Sequence, residues 1–225
     1  MPPKPPKKRR AAGRRVSPRL RAQAETVLAR LSEEYPDAVC ALTHEGPYQL
    51  LVATILSAQC TDERVNMVTP SVFRRYPTPG DLAQADPDEL EALVRTTGFF
   101  RSKARNLIAM AKDVDDRFEG EVPVALEDLT TLGGVGRKTA NVVRSVAFGE
   151  PGLPVDTHVG RLSRRLGLTK HTDPVKVEFD LMPLFAPEAW GDLSLRLIQH
   201  GRRVCDARKP KCGECVLNDV CPSAQ

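Results

Sequence analysis

The chain has 225 residues, of which 41% are hydrophobic and 28% charged, a composition typical of a globular protein. This length is enough for one or two domains with hydrophobic cores of their own, without a disulfide scaffold. No uninterrupted apolar stretch approaches the ~18–20 residues of a membrane span, which argues against an integral membrane protein. The basic start of the sequence lacks the apolar segment of a secretory signal, so none is expected.

Charge is distributed unevenly along the chain. Residues 1–21 carry nine Lys or Arg and no acidic residue, whereas residues 22–225 have 24 basic against 29 acidic side chains. A nucleic-acid surface on the body of the protein must therefore be a local patch. Residues 1–17 are predicted to be a disordered basic tail, which either adds phosphate contacts, serves as a localisation signal or is simply a solvated extension.

Apolar residues recur at helical spacing from about residue 20 onward, and alternation of period two is almost absent. Short breaks that contain Pro or Gly separate the helical stretches. The pattern predicts an all-α fold. Beyond a first helix after residue 20 and an apolar one over 48–56, helices are expected near 64–75, 86–96, 101–117, 137–148, 157–166, 174–185 and 191–204.

A glycine-rich segment, LGGVGRK at 132–138, joins two predicted helices. Glycines such as Gly134 and Gly136 permit positive φ and leave backbone amides uncovered at the start of the second helix. Amides at a helix N-terminus bind anions, so these glycines and Arg137 are predicted to contact a phosphate group. The alternative is a tight turn between two packed helices.

Lys138 follows directly in the first turn of that helix. The helix dipole disfavours a positive charge at this end, which favours the neutral amine that a nucleophile requires. The alternative is a lysine that only pairs with phosphate.

A second segment, PVDTHV at 154–159, leads into the next predicted helix. Asp156 lies where an N-cap belongs, and capping alone is a sufficient reason for an Asp there. Capping is compatible with catalysis, because a capped helix start fixes the carboxylate in place. His158 is a candidate ligand, general base or DNA contact, with a histidine hydrogen-bonded inside the fold as the alternative.

Four cysteines lie within seventeen residues: Cys205, Cys212, Cys215 and Cys221. Four thiolates this close can hold either a tetrahedral zinc ion or a [4Fe-4S] cluster, and the spacing alone leaves both open, with two disulfides as a third reading. Basic residues surround them, and Lys209-Pro-Lys211 is predicted to contact phosphate unless it is merely a solvated loop.

Together these segments resemble the endonuclease III family of DNA repair glycosylases. LLVATILSAQCTD, LGGVGRKTANVV, VDTHVGRLSRRLGL and the cysteine spacing occur in the order of that family's motifs. Gly133 replaces a proline that is usual in the family, and Phe99-Phe100 replaces a common Leu-Tyr, which leaves the lesion preference open.

The resemblance implies two all-α domains: a six-helix barrel with the helix-hairpin-helix at 40–150, and a [4Fe-4S] domain formed by 18–39 with 151–225. It also implies a monomer that binds damaged double-stranded DNA in the cleft between them. Lys138 would attack C1′ of an oxidised pyrimidine nucleoside and Asp156 would assist. The Schiff base would then undergo β-elimination.

Two further residues are expected to fill the gap that a flipped nucleotide leaves. Gln59 follows a strongly apolar helix, and its amide can both donate and accept a hydrogen bond. Phe99 follows Gly98 and is the expected apolar wedge. The alternative is that Gln59 caps its own helix and Phe99 belongs to the core.

Three rival functions remain at this point: an adenine–mismatch glycosylase, a pyrimidine-dimer glycosylase that uses the same Lys138 and Asp156, and a non-catalytic DNA-binding module with a structural metal. The first is disfavoured, since Lys138 is present and no additional recognition domain follows. The expected location is the nucleoid in a bacterium, and the nucleus or a mitochondrion in a eukaryote.

Overall fold

The structure is a computed structural model that describes residues 16–225. The predicted basic tail therefore lies, for residues 1–15, outside the described residues. No β-strand occurs in the described part of the chain, so the prediction of an all-α fold is confirmed. The helices, in chain order, are α1 (Pro18–Glu34), α2 (Pro47–Leu56), α3 (Asp62–Arg75), α4 (Pro79–Ala83), α5 (Pro87–Val94), α6 (Phe100–Phe118), α7 (Leu126–Leu129), α8 (Arg137–Ala147), α9 (Thr157–Arg165), α10 (Pro174–Leu181) and α11 (Trp190–Arg203).

Side-chain caps fix many of the helix starts. Thr61, Thr78 and Asp86 accept hydrogen bonds from the first-turn amides of α3, α4 and α5, and Asp173 does so for α10. Proline at the first or second position of several helices adds a preformed φ where no amide partner is needed. These local signals explain why most helix bounds are close to those that the sequence predicts.

The predicted helices need two corrections, one to the end of a helix and one for a helix that was missed. The helix predicted over 174–185 ends at Leu181, and a 3₁₀ turn follows over Met182–Leu184, where Pro183 cannot donate the next helical hydrogen bond. Helix α4 was not predicted at all, because its five residues are too few to produce a helical period.

The buried apolar residues form two separate clusters. The first comes from the helices α2 to α8 and includes every residue of Leu50–Leu56 except Thr54. The second combines α1 with α9, α10 and α11, so the N-terminal helix packs against the C-terminal half of the chain. A salt bridge of 2.8 Å between Arg202 and Asp62 joins the two parts at the surface. Among the described residues, no helix is long and apolar enough to cross a membrane.

Candidate functional site

The glycine-rich hairpin joins α7 to α8, as the sequence predicts. Gly136 is the N-cap residue of α8 and, lacking a side chain, leaves the first amides of this eleven-residue helix without a side-chain acceptor. A Cβ atom at Gly136 would meet nothing within 4 Å. The space in front of these amides is therefore open to a ligand.

The same hairpin packs closely against α6. Gly134 has a φ of 72°, and a Cβ there would lie 2.6 Å from Asn106 Cβ. At Gly133 a Cβ would lie 2.6 Å from that of Ala109, and the Gly133 amide donates to Asp113 Oδ2 at 3.1 Å. Proline has no such amide, so the glycine at 133 lets the hairpin approach α6 closely and adds a hydrogen bond.

Lys138 is exposed, in the first turn of α8, on the side opposite the buried Ala140 and Val143. Its neighbour Arg137 does not point freely into solvent. The Arg137 guanidinium donates two hydrogen bonds, of 2.7 and 2.8 Å, to the buried carboxylate of Glu178 on α10. Any phosphate contact by Arg137 must therefore compete with an ion pair that the sequence analysis did not anticipate.

Asp156 is the N-cap of α9, as predicted, and its Oδ1 accepts a hydrogen bond of 2.8 Å from the Val159 amide. Asp156 and Lys138 line one open cavity of about 450 Å³. The other lining residues are Val155, Thr157, Gly160, Arg164, Thr172 and Pro174. Lys138 and Asp156 thus line the same cavity, although they belong to helices that pack in different hydrophobic clusters.

Three polar residues of this cavity, Thr157, Arg164 and Thr172, were not predicted from the sequence. Arg164 stands in an arginine-rich helix, where any one guanidinium resembles a solvated charge. Thr172 lies in a loop sixteen residues after Asp156, and no local pattern marks it. Only the fold brings them beside Lys138.

His158 is half-buried and does not line that cavity. Its Nδ1 lies 3.1 Å from an Nη2 of Arg161, and burial lowers the pKa of its ring below the usual value. A hydrogen-bonded histidine within the fold, the alternative noted above, describes this geometry. A direct DNA contact by His158 stays a prediction.

Gln59 and Phe99 are both exposed, Phe99 to 66%. Helix α2 is capped by Ser57, so Gln59 is not its cap, and Phe99 lies outside the core. Both have left-handed backbone, with φ of 54° and 48°. Such values are uncommon for side chains of this size and cluster at functional sites.

The four C-terminal cysteines are free thiols that line one small cavity of about 30 Å³. In the described residues, no three His, Cys, Asp or Glu side chains are arranged to hold a single metal ion. Burial raises the pKa of Cys215 and of Cys221, and the neighbouring cysteines add to the shift.

Hydrogen-bond donors face two of these sulfur atoms. Arg165 donates to Cys205 Sγ at 3.1 Å, and the Leu217 amide donates to Cys215 Sγ at 3.4 Å. No carboxylate lines the cavity. A thiolate-bound iron–sulfur cluster is negatively charged. A lining that offers cationic and amide donors and contains no carboxylate suits such a cluster.

Lys209 and Lys211 are exposed on the loop that connects the first two cysteines. The Lys209 amide donates to Asp206, and the Lys211 amide donates to the carbonyl of Val204. These backbone bonds fix the loop and leave the two ammonium groups outside it. No salt bridge in the described residues involves either lysine.

Comparison with known proteins decides the family. Residues 52–187 match the HhH-GPD superfamily of base excision DNA repair proteins, and residues 205–221 match the iron-sulfur binding domain of endonuclease III. Endonuclease III of Synechocystis sp. is 56% identical over 90% of this chain and 93% of its own length. The chain belongs to the endonuclease III family.

Two solved endonuclease III structures superpose closely on this chain. One is a non-covalent endonuclease III–DNA complex, with a TM-score of 0.85, 43% identity, and coverage of 90% of this chain and 95% of that one. The other is a trapped covalent endonuclease III–DNA intermediate, with a TM-score of 0.85, 44% identity, and coverage of 90% and 96%. The family's iron–sulfur domain selects a [4Fe-4S] cluster over the zinc that the cysteine spacing left open.

Proposed function

We propose that this endonuclease III family member is a bifunctional DNA glycosylase and AP lyase, which excises oxidised pyrimidines of the thymine-glycol type from double-stranded DNA. The observation that carries the proposal is the shared cavity of Lys138 and Asp156 beside the uncapped start of α8. An amine and a carboxylate placed together are the pair that covalent attack on a sugar carbon needs. The trapped covalent complex of a similar endonuclease III supports a covalent route.

In the reaction, the lone pair of the neutral Lys138 amine attacks C1′ of the flipped nucleoside. The bond between C1′ and the base nitrogen breaks, and its electron pair leaves with the base. Asp156 accepts a proton from the amine and stabilises the positive charge that develops on the sugar. The C1′–O4′ bond of this adduct then breaks, O4′ takes up the proton held by Asp156, and the existing bond between C1′ and the Lys138 nitrogen becomes the Schiff base of the opened sugar. Loss of a C2′ proton expels the 3′ phosphate by β-elimination.

The remaining predicted residues bind the substrate in this account. The amides of Gly134 and Gly136 contact a backbone phosphate at the dipole-positive end of α8. Lys209 and Lys211 contact a second stretch of the backbone. Gln59 and Phe99 enter the duplex where the damaged nucleotide has left it, offsetting part of the few kcal/mol that flipping costs.

We infer that the two hydrophobic clusters mark two domains, one over 40–150 and the other formed by 18–39 with 151–225, and that DNA lies across the cleft between them. Cys205, Cys212, Cys215 and Cys221 would hold the [4Fe-4S] cluster. Bound there, the cluster supplies four rigid attachment points for the loop that carries Lys209 and Lys211. The similar protein from Synechocystis is bacterial, so we place the enzyme at a bacterial nucleoid.

Turnover tests the proposal directly. The holoenzyme is incubated with a duplex that contains one thymine glycol, and base release and strand cleavage are followed separately. Both are expected, with strand cleavage on the 3′ side of the lesion. A duplex with a cyclobutane pyrimidine dimer tests the rival glycosylase on the same residues. Binding without turnover on either duplex would make the chain a DNA-binding module.

Two variants test the separate roles of Lys138 and Asp156 in this assay. Lys138→Gln should abolish both products and retain DNA binding. Asp156→Asn should lose about 10²–10⁴-fold in turnover, the usual range for a group that transfers a proton. Asparagine caps a helix as well as aspartate does, so α9 stays in place and the loss reports chemistry. Unchanged turnover in Asp156→Asn would reduce Asp156 to a helix cap.

A further inference from the structure

Lys103 is a buried lysine that the reaction above does not use. It lies on α6 with 4% of its surface exposed. Its ammonium donates one hydrogen bond of 2.8 Å to the carbonyl of Leu56 and another of 2.7 Å to that of Thr97. No acidic side chain pairs with Lys103 in the described part of the chain.

The two carbonyls belong to the two segments that carry Gln59 and Phe99. Leu56 is the last residue of α2, three positions before Gln59. Thr97 is buried and lies two positions before Phe99. A single ammonium group thus joins the two segments. In each segment the hydrogen-bonded carbonyl lies shortly before the residue with left-handed backbone, Gln59 or Phe99.

Burying an ammonium group at this position costs free energy. Removing it from water disfavours its charge, and burial accordingly lowers the pKa of Lys103. An apolar side chain on α6 would fill the same space without that cost, as Leu107 and Met110 do further along the helix. What the lysine provides and an apolar side chain cannot is a donor group that reaches two backbone carbonyls at once.

The left-handed backbone of Gln59 and Phe99 also needs support. Side chains of this size adopt such φ values only where the surrounding structure holds them. The Gln59 side chain makes no hydrogen bond with any described residue, and Phe99 is mostly exposed, so neither is held by its own side chain. The backbone supplies the support: the Phe99 carbonyl accepts a hydrogen bond of 3.0 Å from the Lys103 amide, and the Lys103 ammonium holds the segment before each residue.

We propose that Lys103 is a positioning residue for base flipping, which fixes the Gln59 segment relative to the Phe99 segment so that both side chains enter the duplex at one base step. This proposal rests on the proposed function, in which the two side chains fill the gap. Lys103 acts through the backbone and touches no DNA itself. Its loss should affect the flipping of stacked nucleotides much more than the chemistry at C1′.

The test uses the holoenzyme and the variant Lys103→Met, which keeps the side-chain length and removes the donors. Single-turnover excision of thymine glycol should fall roughly 10- to 100-fold, whereas borohydride trapping on an abasic site should change by less than about threefold. Lys103→Arg, which restores a cationic donor, should recover part of the loss. Met110→Ala, an equally buried change on the same helix, serves as the control for general destabilisation and should lower both rates alike.

The decisive measurement adds Lys103→Met to the double variant Gln59→Ala/Phe99→Ala. If Lys103 acts through these two side chains, it has nothing left to position, and excision should not fall further. A loss that multiplies in the double variant would overturn the proposal, as would equal effects of Lys103→Met on the two substrates. Lys103→Gln, which can donate to one carbonyl, replaces Lys103→Met if the latter does not fold.

Failure of the proposal can be told apart from failure of the proposed function. If the wild-type holoenzyme does not turn over thymine glycol, the proposed function is wrong. If it does, but Gln59→Ala/Phe99→Ala excises as fast as the wild type, the reaction stands and the positioning role of Lys103 is wrong.

Discussion

The guanidinium of Arg137 and the carboxylate of Glu178 form a two-point ion pair across 41 residues of sequence. It links the first residue of α8 to α10, and so joins helices that belong to the two hydrophobic clusters. The Arg137 side chain is one-third exposed, while that of Glu178 is 7% exposed. The pair therefore holds the start of α8, and with it Lys138, against the part of the chain that carries Asp156.

Replacing the acid should loosen this link. Glu178→Gln keeps the shape of the side chain and removes its charge, so the free energy of unfolding should fall by about 1–3 kcal/mol, the range for a hydrogen bond to a charged group. DNA affinity at low salt should not fall, since Arg137 becomes free to meet phosphate. Urea unfolding and a binding titration measure the two effects. Unchanged stability would mean that the pair contributes nothing to the fold.

Replacing Gly133 by the proline that is usual in the family is expected to destabilise this protein. Gly133→Pro removes the hydrogen bond to Asp113 and brings the ring against Ala109 and the backbone of α6. The free energy of unfolding should fall by about 2–4 kcal/mol. Gly136→Ala is the matched control, because a Cβ there meets no atom of the protein. Equal stability of Gly133→Pro and the wild type would show that the hairpin shifts freely on α6.

Metal analysis tests the cofactor. Purified protein should be yellow-brown and contain about four irons per chain, because thiolate-bound iron absorbs visible light and zinc does not. Cys212→Ser should lower the iron content and weaken DNA binding, since the loop of Lys209 and Lys211 loses an attachment point. A colourless, active preparation with one zinc per chain would contradict the cluster.

The basic tail should add affinity without specificity. Deleting residues 1–15 removes seven Lys or Arg but retains Ser17, whose Oγ accepts a hydrogen bond from the Leu20 amide at the start of α1. Binding should weaken for every sequence, and the salt dependence of the affinity should become less steep, because fewer counterions are released. A changed lesion preference with an unaltered salt slope would argue for a specific role.

The sequence carried enough information for most of the helices and for the two side chains that we propose to react, Lys138 and Asp156. Helix starts are local events, fixed by residues such as Thr61 and Asp156 and by proline at the first positions. Lys138 and Asp156 stand in short motifs with a physical reason for each residue. Their positions at the starts of α8 and α9 could therefore be predicted without knowledge of the tertiary contacts.

What the sequence did not reveal depends on contacts between distant segments. Arg137 is a plain surface cation until α10 brings Glu178 beside it. Lys103 was also overlooked, although a signal existed: it falls on the apolar stripe of α6, at helical spacing from Leu107 and Met110. A charge on a buried stripe marks a residue with a specific partner, but only the fold identifies the carbonyls that it binds.

Lys138 is expected to form a covalent bond with the sugar. Sodium borohydride reduces a Schiff base to a stable amine, so wild-type protein incubated with a thymine-glycol duplex should yield a covalent protein–DNA adduct whose tryptic peptide carries the modification on Lys138. Lys138→Gln, whose folding and binding to the same duplex are checked separately, should yield none. Trapping that persists in Lys138→Gln, or a modified peptide from elsewhere in the chain, would contradict the account.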